Sequence, residues 1–220
     1  MRRLGTAIRG LDLPAVEKIA GAQSGQPFQI LIATLLSART QDAATHAAST
    51  RLFRRARTPR TMAGLTVAEI EQLIYPVSFY RNKARHVKAC CEMLVSRFGG
   101  RVPASMDDLV MLPGVGRKTA NVVLNTVYGE PTMAVDTHVF RVANRTGLAP
   151  GANPLEVEEK LLKVIPKKYM LNAHHWLILH GRYTCVARTP LCGQCVVRDL
   201  CAYPDKTDDV IAELKKPRKR

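Results

Sequence analysis

Leu112-Pro113-Gly114-Val115-Gly116-Arg117-Lys118-Thr119-Ala120, continued by NVVLNTVYG (121–129), is a glycine-rich turn running into an apolar helix. Glycines at 114 and 116 permit tight backbone geometry and close approach of another group. The unpaired amides at the start of the following helix point at an anion, and contact of that kind ignores base sequence. Taken alone, the turn is equally a structural joint between two helices. Lys118 falls just inside the new helix, and Asp136 stands before Thr137-His138-Val139-Phe140-Arg141 as a natural N-cap. Without further context the lysine reads as a phosphate contact and the aspartate as a cap.

Working outward, apolar residues recur at intervals of three and four through PFQILIATLLSAR (27–39), HAASTRLFRR (46–55), VAEIEQLI (67–74) and KARHVKACCEMLVSRF (83–98). That spacing is the mark of amphipathic helices. Turn signals separate them at Gly25 to Pro27, Thr58 to Pro59, Gly99 to Pro103, Gly129 to Pro131 and Ala149 to Pro154. Two more helices are expected in LEVEEKLLKVI (155–165) and AHHWLILHGRYTC (173–185). Strand-like alternation is not apparent, so the fold is expected to be all-α. Cys90 and Cys91 fall in one of these periodic segments and read as small core residues.

A hydrophobic fraction of 46% over 220 residues argues against disorder, and 33 basic against 18 acidic residues give a net charge of +15. A surplus of that size favours a polyanion through counterion release, with nucleic acid the leading candidate. No segment approaches the ~20 apolar residues of a membrane span. The opening MRRLGTAIRG lacks the uninterrupted apolar core of a secretory signal, so a cytoplasmic protein is expected, nucleoid-associated in a prokaryote. The last residues, AELKKPRKR, read as a basic tail. Cys185, Cys192, Cys195 and Cys201 have the spacing C-x6-C-x2-C-x5-C, close enough in sequence to serve one metal centre, either zinc or an iron-sulfur cluster.

LPGVGRKTANVVLNTVYG (112–129) followed by AVDTHVFRVANRTGL (134–148) resembles, nearly residue for residue, the helix-hairpin-helix and Gly-Pro-Asp region of the endonuclease III family. Gly129, Pro131 and Asp136 match the Gly-Pro-Asp element. PFQILIATLLSA, FYRNKA and HHWLILHGRYTC extend the likeness to residues 20–203. The resemblance implies two helical domains flanking a cleft. Residues 20–131 would form the domain with the hairpin, residues 1–19 plus 132–203 the iron-sulfur domain, and 204–220 the basic C-terminal tail.

By the same resemblance the protein is a bifunctional glycosylase and abasic-site lyase that removes oxidised pyrimidines from double-stranded DNA and cuts the strand by β-elimination. Lys118 is then the nucleophile, in the place where bifunctional members carry lysine and the related adenine glycosylases do not. Asp136 assists from across the cleft. Leu112, Pro113, Gly114, Val115 and Gly116 form the phosphate-binding hairpin. The four cysteines hold a [4Fe-4S] cluster, between whose ligands Arg188 and Arg198 meet DNA. His138, next to the aspartate, is expected to pack or hydrogen-bond rather than act as an acid. Arg39, Ser78 and Phe79 fall in the two loops that fill the gap left by a flipped base. Many relatives have glutamine where Arg39 stands, and glycine followed by an aliphatic or aromatic residue where Ser78 and Phe79 stand. Those departures keep open a narrowed, shifted or weak lesion range, including a protein that mainly cleaves abasic sites. The rival from another class is a noncatalytic iron-sulfur DNA-binding protein, with Lys118 only a phosphate contact. A monomer is expected, because one flipped base needs no symmetric partner.

Overall fold

The computed structural model describes residues 1–22 and 26–207, and every regular element among them is helical, as expected. The chain divides into two compact units, one spanning Leu13–Glu130 and the other combining Met1–Asp12 with the chain from Pro131 onward. Helix α1 (Arg2–Ala7) belongs to the second unit.

The Leu13–Glu130 unit contains α2 (Ala15–Ala22), α3 (Pro27–Ser37), α4 (Asp42–Arg55), α5 (Pro59–Ala63), α6 (Val67–Ile74), α7 (Tyr80–Phe98), α8 (Met106–Met111) and α9 (Arg117–Tyr128). Its centre is α3, which is buried at every position from Phe28 to Leu36. A helix that is apolar all round belongs inside, and α2, α4, α7 and α9 pack against it. Its buried Thr34 hydroxyl donates to the Ile30 carbonyl at 2.7 Å, which removes the penalty of a bare polar group. Proline starts both α3 and α5, where its missing N–H costs nothing. Capping boxes built by Thr58 with Thr61, and by Thr66 with Glu69, fix where α5 and α6 begin. Along α7, Ala84, Val87, Cys90, Cys91 and Leu94 form the inward face. Burial pushes the Cys90 thiol up to about 12, and Cys91 upward as well, so both are packing groups rather than nucleophiles.

The second unit adds α10 (Thr137–Thr146), α11 (Pro154–Val164) and α12 (Lys167–Tyr183) to α1. Its core gathers Met133, Val135, Val139, Val142, Leu161 and Leu177. Helix α12 starts at Lys167, six residues before the segment the sequence pattern marks. Pro166 supplies its N-cap position, and Met170 begins the buried stripe that continues with Ala173 and Leu177. Gly181 lets α12 approach α10 closely, since a Cβ there would stand 2.9 Å from the His138 Cβ. No helix among the described residues is long and apolar enough to cross a membrane. The expected basic tail lies, beyond residue 207, outside the described residues.

Candidate active site

Serine 105 caps α8, whose chain then turns through residues 112–116 into α9. The Leu112 amide donates to the Leu109 carbonyl at 3.1 Å and the Val115 amide to the Leu112 carbonyl at 3.0 Å. Leu112 and Val115 are buried core residues, so any phosphate contact they make is through the backbone. Pro113 is half-buried, whereas Gly114 and Gly116 are exposed. Gly114 has φ +80°, and a Cβ on it would meet the His86 Cβ at 2.8 Å. Gly116 is the N-cap of α9 and brings no side-chain acceptor, the arrangement in which a helix N-terminus can face an anion. Gly114→Ala is therefore expected to cost about 1–3 kcal/mol in thermal unfolding and to weaken duplex binding in a titration. An unchanged affinity would remove the turn from the DNA surface.

Lys118 is exposed in the first turn of α9, next to Arg117. In the other unit, Asp136 is half-buried as the N-cap of α10, and its Oδ1 accepts from the amides of His138 and Val139, both at 2.8 Å. Because Val135 and Val139 are both core residues, the chain enters α10 in one register and the carboxylate is fixed at its mouth. The Nδ1 of His138 meets the Arg141 guanidinium at 3.1 Å, in the hydrogen-bonding role expected of it.

Arg39 and Phe79 share two features that no spacing in the sequence suggests. Both hold left-handed backbone, with φ of 54° and 57°. For residues with a Cβ this conformation costs roughly 1–2 kcal/mol, and such strain gathers at functional positions. They also touch, the guanidinium carbon of Arg39 lying 5.9 Å from the centre of the Phe79 ring. Both side chains are exposed, Phe79 by 60%, while Ser78 is half-buried. Phe79→Gly is expected to keep stability within about 1 kcal/mol of wild type, because glycine adopts φ 57° freely. Base excision should nevertheless fall. A matched loss of stability would make the ring a packing group instead.

Cys185, Cys192, Cys195 and Cys201 are all half-buried and line one cavity with Arg145, His180 and Tyr203. Among the described residues no three His, Cys, Asp or Glu side chains close on a point that would hold a single ion. Four thiols lining one cavity form the donor set that a polynuclear iron-sulfur cluster takes. Burial pushes the Cys195 thiol upward, and its three neighbouring thiols add to the effect. A thiolate there needs positive charge beside it, which iron supplies when bound.

Helix α10 grips this loop. Arg141 donates to the carbonyls of Cys185 at 2.9 Å and Gly181 at 2.7 Å. Arg145 donates to those of Val186 and Ala187, both at 2.7 Å, and its NH1 lies 3.7 Å from the Cys185 sulfur. Its guanidinium also covers the Tyr203 ring at 4.8 Å. His180 is buried, which pulls it down to about 4, and its Nε2 lies 3.7 Å from the Cys195 sulfur. Sequence reasoning passed over all three. The one signal was the i, i+4 pair of arginines in RVANR, which also fits an exposed helix face. Arg188 is exposed on the loop, and Arg198 is half-buried in the short 3-10 turn Arg198–Leu200.

An all-helical unit with a glycine hairpin delivering a lysine, followed by an aspartate-capped helix, defines a class. Residues 32–167 match the HhH-GPD superfamily of base excision DNA repair proteins, and residues 185–201 match the iron-sulfur binding domain of endonuclease III. The chain belongs to the endonuclease III family. It is 52% identical to Endonuclease III of Escherichia coli (strain K12), over 83% of this chain and 86% of that protein. To Endonuclease III of Haemophilus influenzae it is 47% identical, over 84% of this chain and 88% of the other. Among solved structures, a trapped endonuclease III–DNA covalent intermediate matches with a TM-score of 0.76 and 41% identity, covering 86% of this chain and 92% of that one. A thermostable thymine-DNA glycosylase shares the fold, with a TM-score of 0.80 at 23% identity over 92% and 91% of the two chains. The protein is thus a base excision repair DNA glycosylase, bifunctional with abasic-site lyase activity, and carries a [4Fe-4S] cluster.

Proposed function

We propose that the protein removes oxidised pyrimidines from double-stranded DNA and cuts the strand at the same nucleotide through a Schiff base on Lys118. The observation that carries this is the place of Lys118, exposed in the first turn of α9 directly after the hairpin. The neutral amine attacks C1′, the glycosidic bond breaks, and the base leaves with a proton. The lysine-bound sugar then opens at its C1′–O4′ bond, O4′ taking up the proton that the nitrogen gives up, and the resulting imine acidifies the C2′ hydrogen, whose removal expels the 3′ phosphate. Water then releases the sugar fragment and returns the lysine. The Asp136 carboxylate stabilises positive charge growing on the sugar and takes part in moving the proton to the departing base.

A base must leave the stack before it can react, and a damaged pyrimidine stacks weakly, which lowers the cost of extrusion. Arg39 and Phe79, with Ser78 beside them, fill the vacated space. The backbone of residues 112–116 holds the phosphates, and Arg188 and Arg198 add contacts from the cluster loop. Cys185, Cys192, Cys195 and Cys201 are the cluster ligands. The division into a hairpin-bearing domain and a cluster domain separates the nucleophile from the aspartate in sequence. Endonuclease III–DNA complexes among the solved relatives, one of them covalent, support damaged duplex DNA as the partner. The protein acts as a monomer, in keeping with a reaction at one nucleotide.

Borohydride trapping on duplexes bearing thymine glycol or an abasic site tests this. Adducts on both are expected. Adducts on the abasic duplex alone would mean a lyase with another base specificity, the reading that Arg39 and Ser78 keep open. No adduct on either, with binding intact, would leave only a binding protein.

A further inference from the structure

Lys83 is a cation in an apolar place. It lies on the inward face of α7 and is only 7% exposed. Its ammonium has three N–H bonds and finds three acceptors: the carbonyls of Leu36 at 2.7 Å and Ala38 at 2.5 Å, and the Thr40 hydroxyl at 2.9 Å. All three belong to the last turn of α3 or the residues directly after it, where carbonyls lack intrahelical donors and a cation is favoured. Between the second and third acceptors stands Arg39 in its left-handed conformation. The backbone amide of the same Lys83 donates to the carbonyl of Phe79 at 3.0 Å. That bond is the regular opening bond of α7, so the Lys83 side chain ties residues 36–40 to the helix turn on which Phe79 stands. Burial alone pulls the amine down to about 8, whereas three oxygen acceptors favour the charged form. Packing does not require this arrangement, since a methionine of similar length would fill the space without desolvating a charge.

We infer that Lys83 is a positioning residue for base extrusion, fastening residues 36–40 to the start of α7 so that Arg39 and Phe79 project together into the opened stack. This rests on the glycosylase reading above and adds to it a buried residue that touches no DNA. Without the ammonium, two carbonyls and a hydroxyl lose their donor.

The test uses the full-length protein with its cluster and a duplex carrying 2-aminopurine opposite a tetrahydrofuran abasic analogue. At saturating protein, the wild type should change the emission of the orphaned base. Lys83→Met should give less than half of that change, and thymine glycol excision should lose about 10-fold or more in kcat with KM nearly constant. The double variant Lys83→Met with Arg39→Ala should be no slower than Arg39→Ala alone, because both act through one element. Thr40→Val, which removes one acceptor and leaves the charge, should lose about 3-fold, and it decides the matter if Lys83→Met does not fold. Intact emission and excision in a folded Lys83→Met, losses that add with those of Arg39→Ala, or an Arg39→Ala as fast as wild type would each overturn the inference. A wild type that excises no base would instead overturn the glycosylase reading on which it stands.

Discussion

Lys118→Gln is expected to bind damaged duplex DNA and leave it uncut. Glutamine keeps a polar chain in the first turn of α9, and the position is exposed, so unfolding should stay within about 0.5 kcal/mol of wild type. The backbone of residues 112–116, proposed to hold the phosphates, is untouched, so affinity should persist. What disappears is the amine, and with it the covalent route that divides one difficult step into easier ones. Strand cleavage should fall by at least about 10³-fold, and borohydride adducts should vanish on thymine glycol and abasic duplexes alike. Gel-resolved trapping beside a binding titration separates the two properties. An adduct surviving in this variant would place the reacting amine elsewhere.

Asp136 presents a harder problem, since one carboxylate closes a helix and is also assigned a part in the chemistry. Two substitutions pull these apart. Asparagine caps as well as aspartate, so Asp136→Asn should keep an acceptor for the amides of His138 and Val139 and leave stability nearly unchanged. It lacks the negative charge, and base excision should fall about 10²–10³-fold in single-turnover kinetics. Asp136→Ala should show the same catalytic loss together with about 1 kcal/mol of destabilisation from the missing cap. Full activity in the asparagine variant with loss only in the alanine variant would reduce Asp136 to a cap.

The hairpin, α9 and the cysteine loop were legible in the sequence because their signals are local. Glycine and proline mark the turn at 112–116, apolar spacing marks the helix after it, and four thiols within seventeen residues speak for one centre. Lys83 was not legible. In FYRNKARHVK it reads as one more cation at the start of an amphipathic helix, and only the return of the chain from α3 supplies its three acceptors. Arg141 and Arg145 were hidden for the same reason, their acceptors lying some 40 residues further on. The left-handed backbone of Arg39 and Phe79 carries no compositional mark, since glycine or asparagine would be its usual sign. The early start of α12 escaped because KKYMLN precedes the obvious apolar run and contributes one buried anchor, Met170.

Helix α10 carries Asp136 at its mouth and holds the cysteine loop by Arg141 and Arg145, five and nine residues further on. At 1.5 Å per residue those grips lie about 7 and 13 Å down a single rod. The rod runs like a yoke from the carboxylate proposed for the chemistry to the loop proposed to hold the iron. One stiff helix thus joins the cap formed by Asp136 to the loop that carries Cys185.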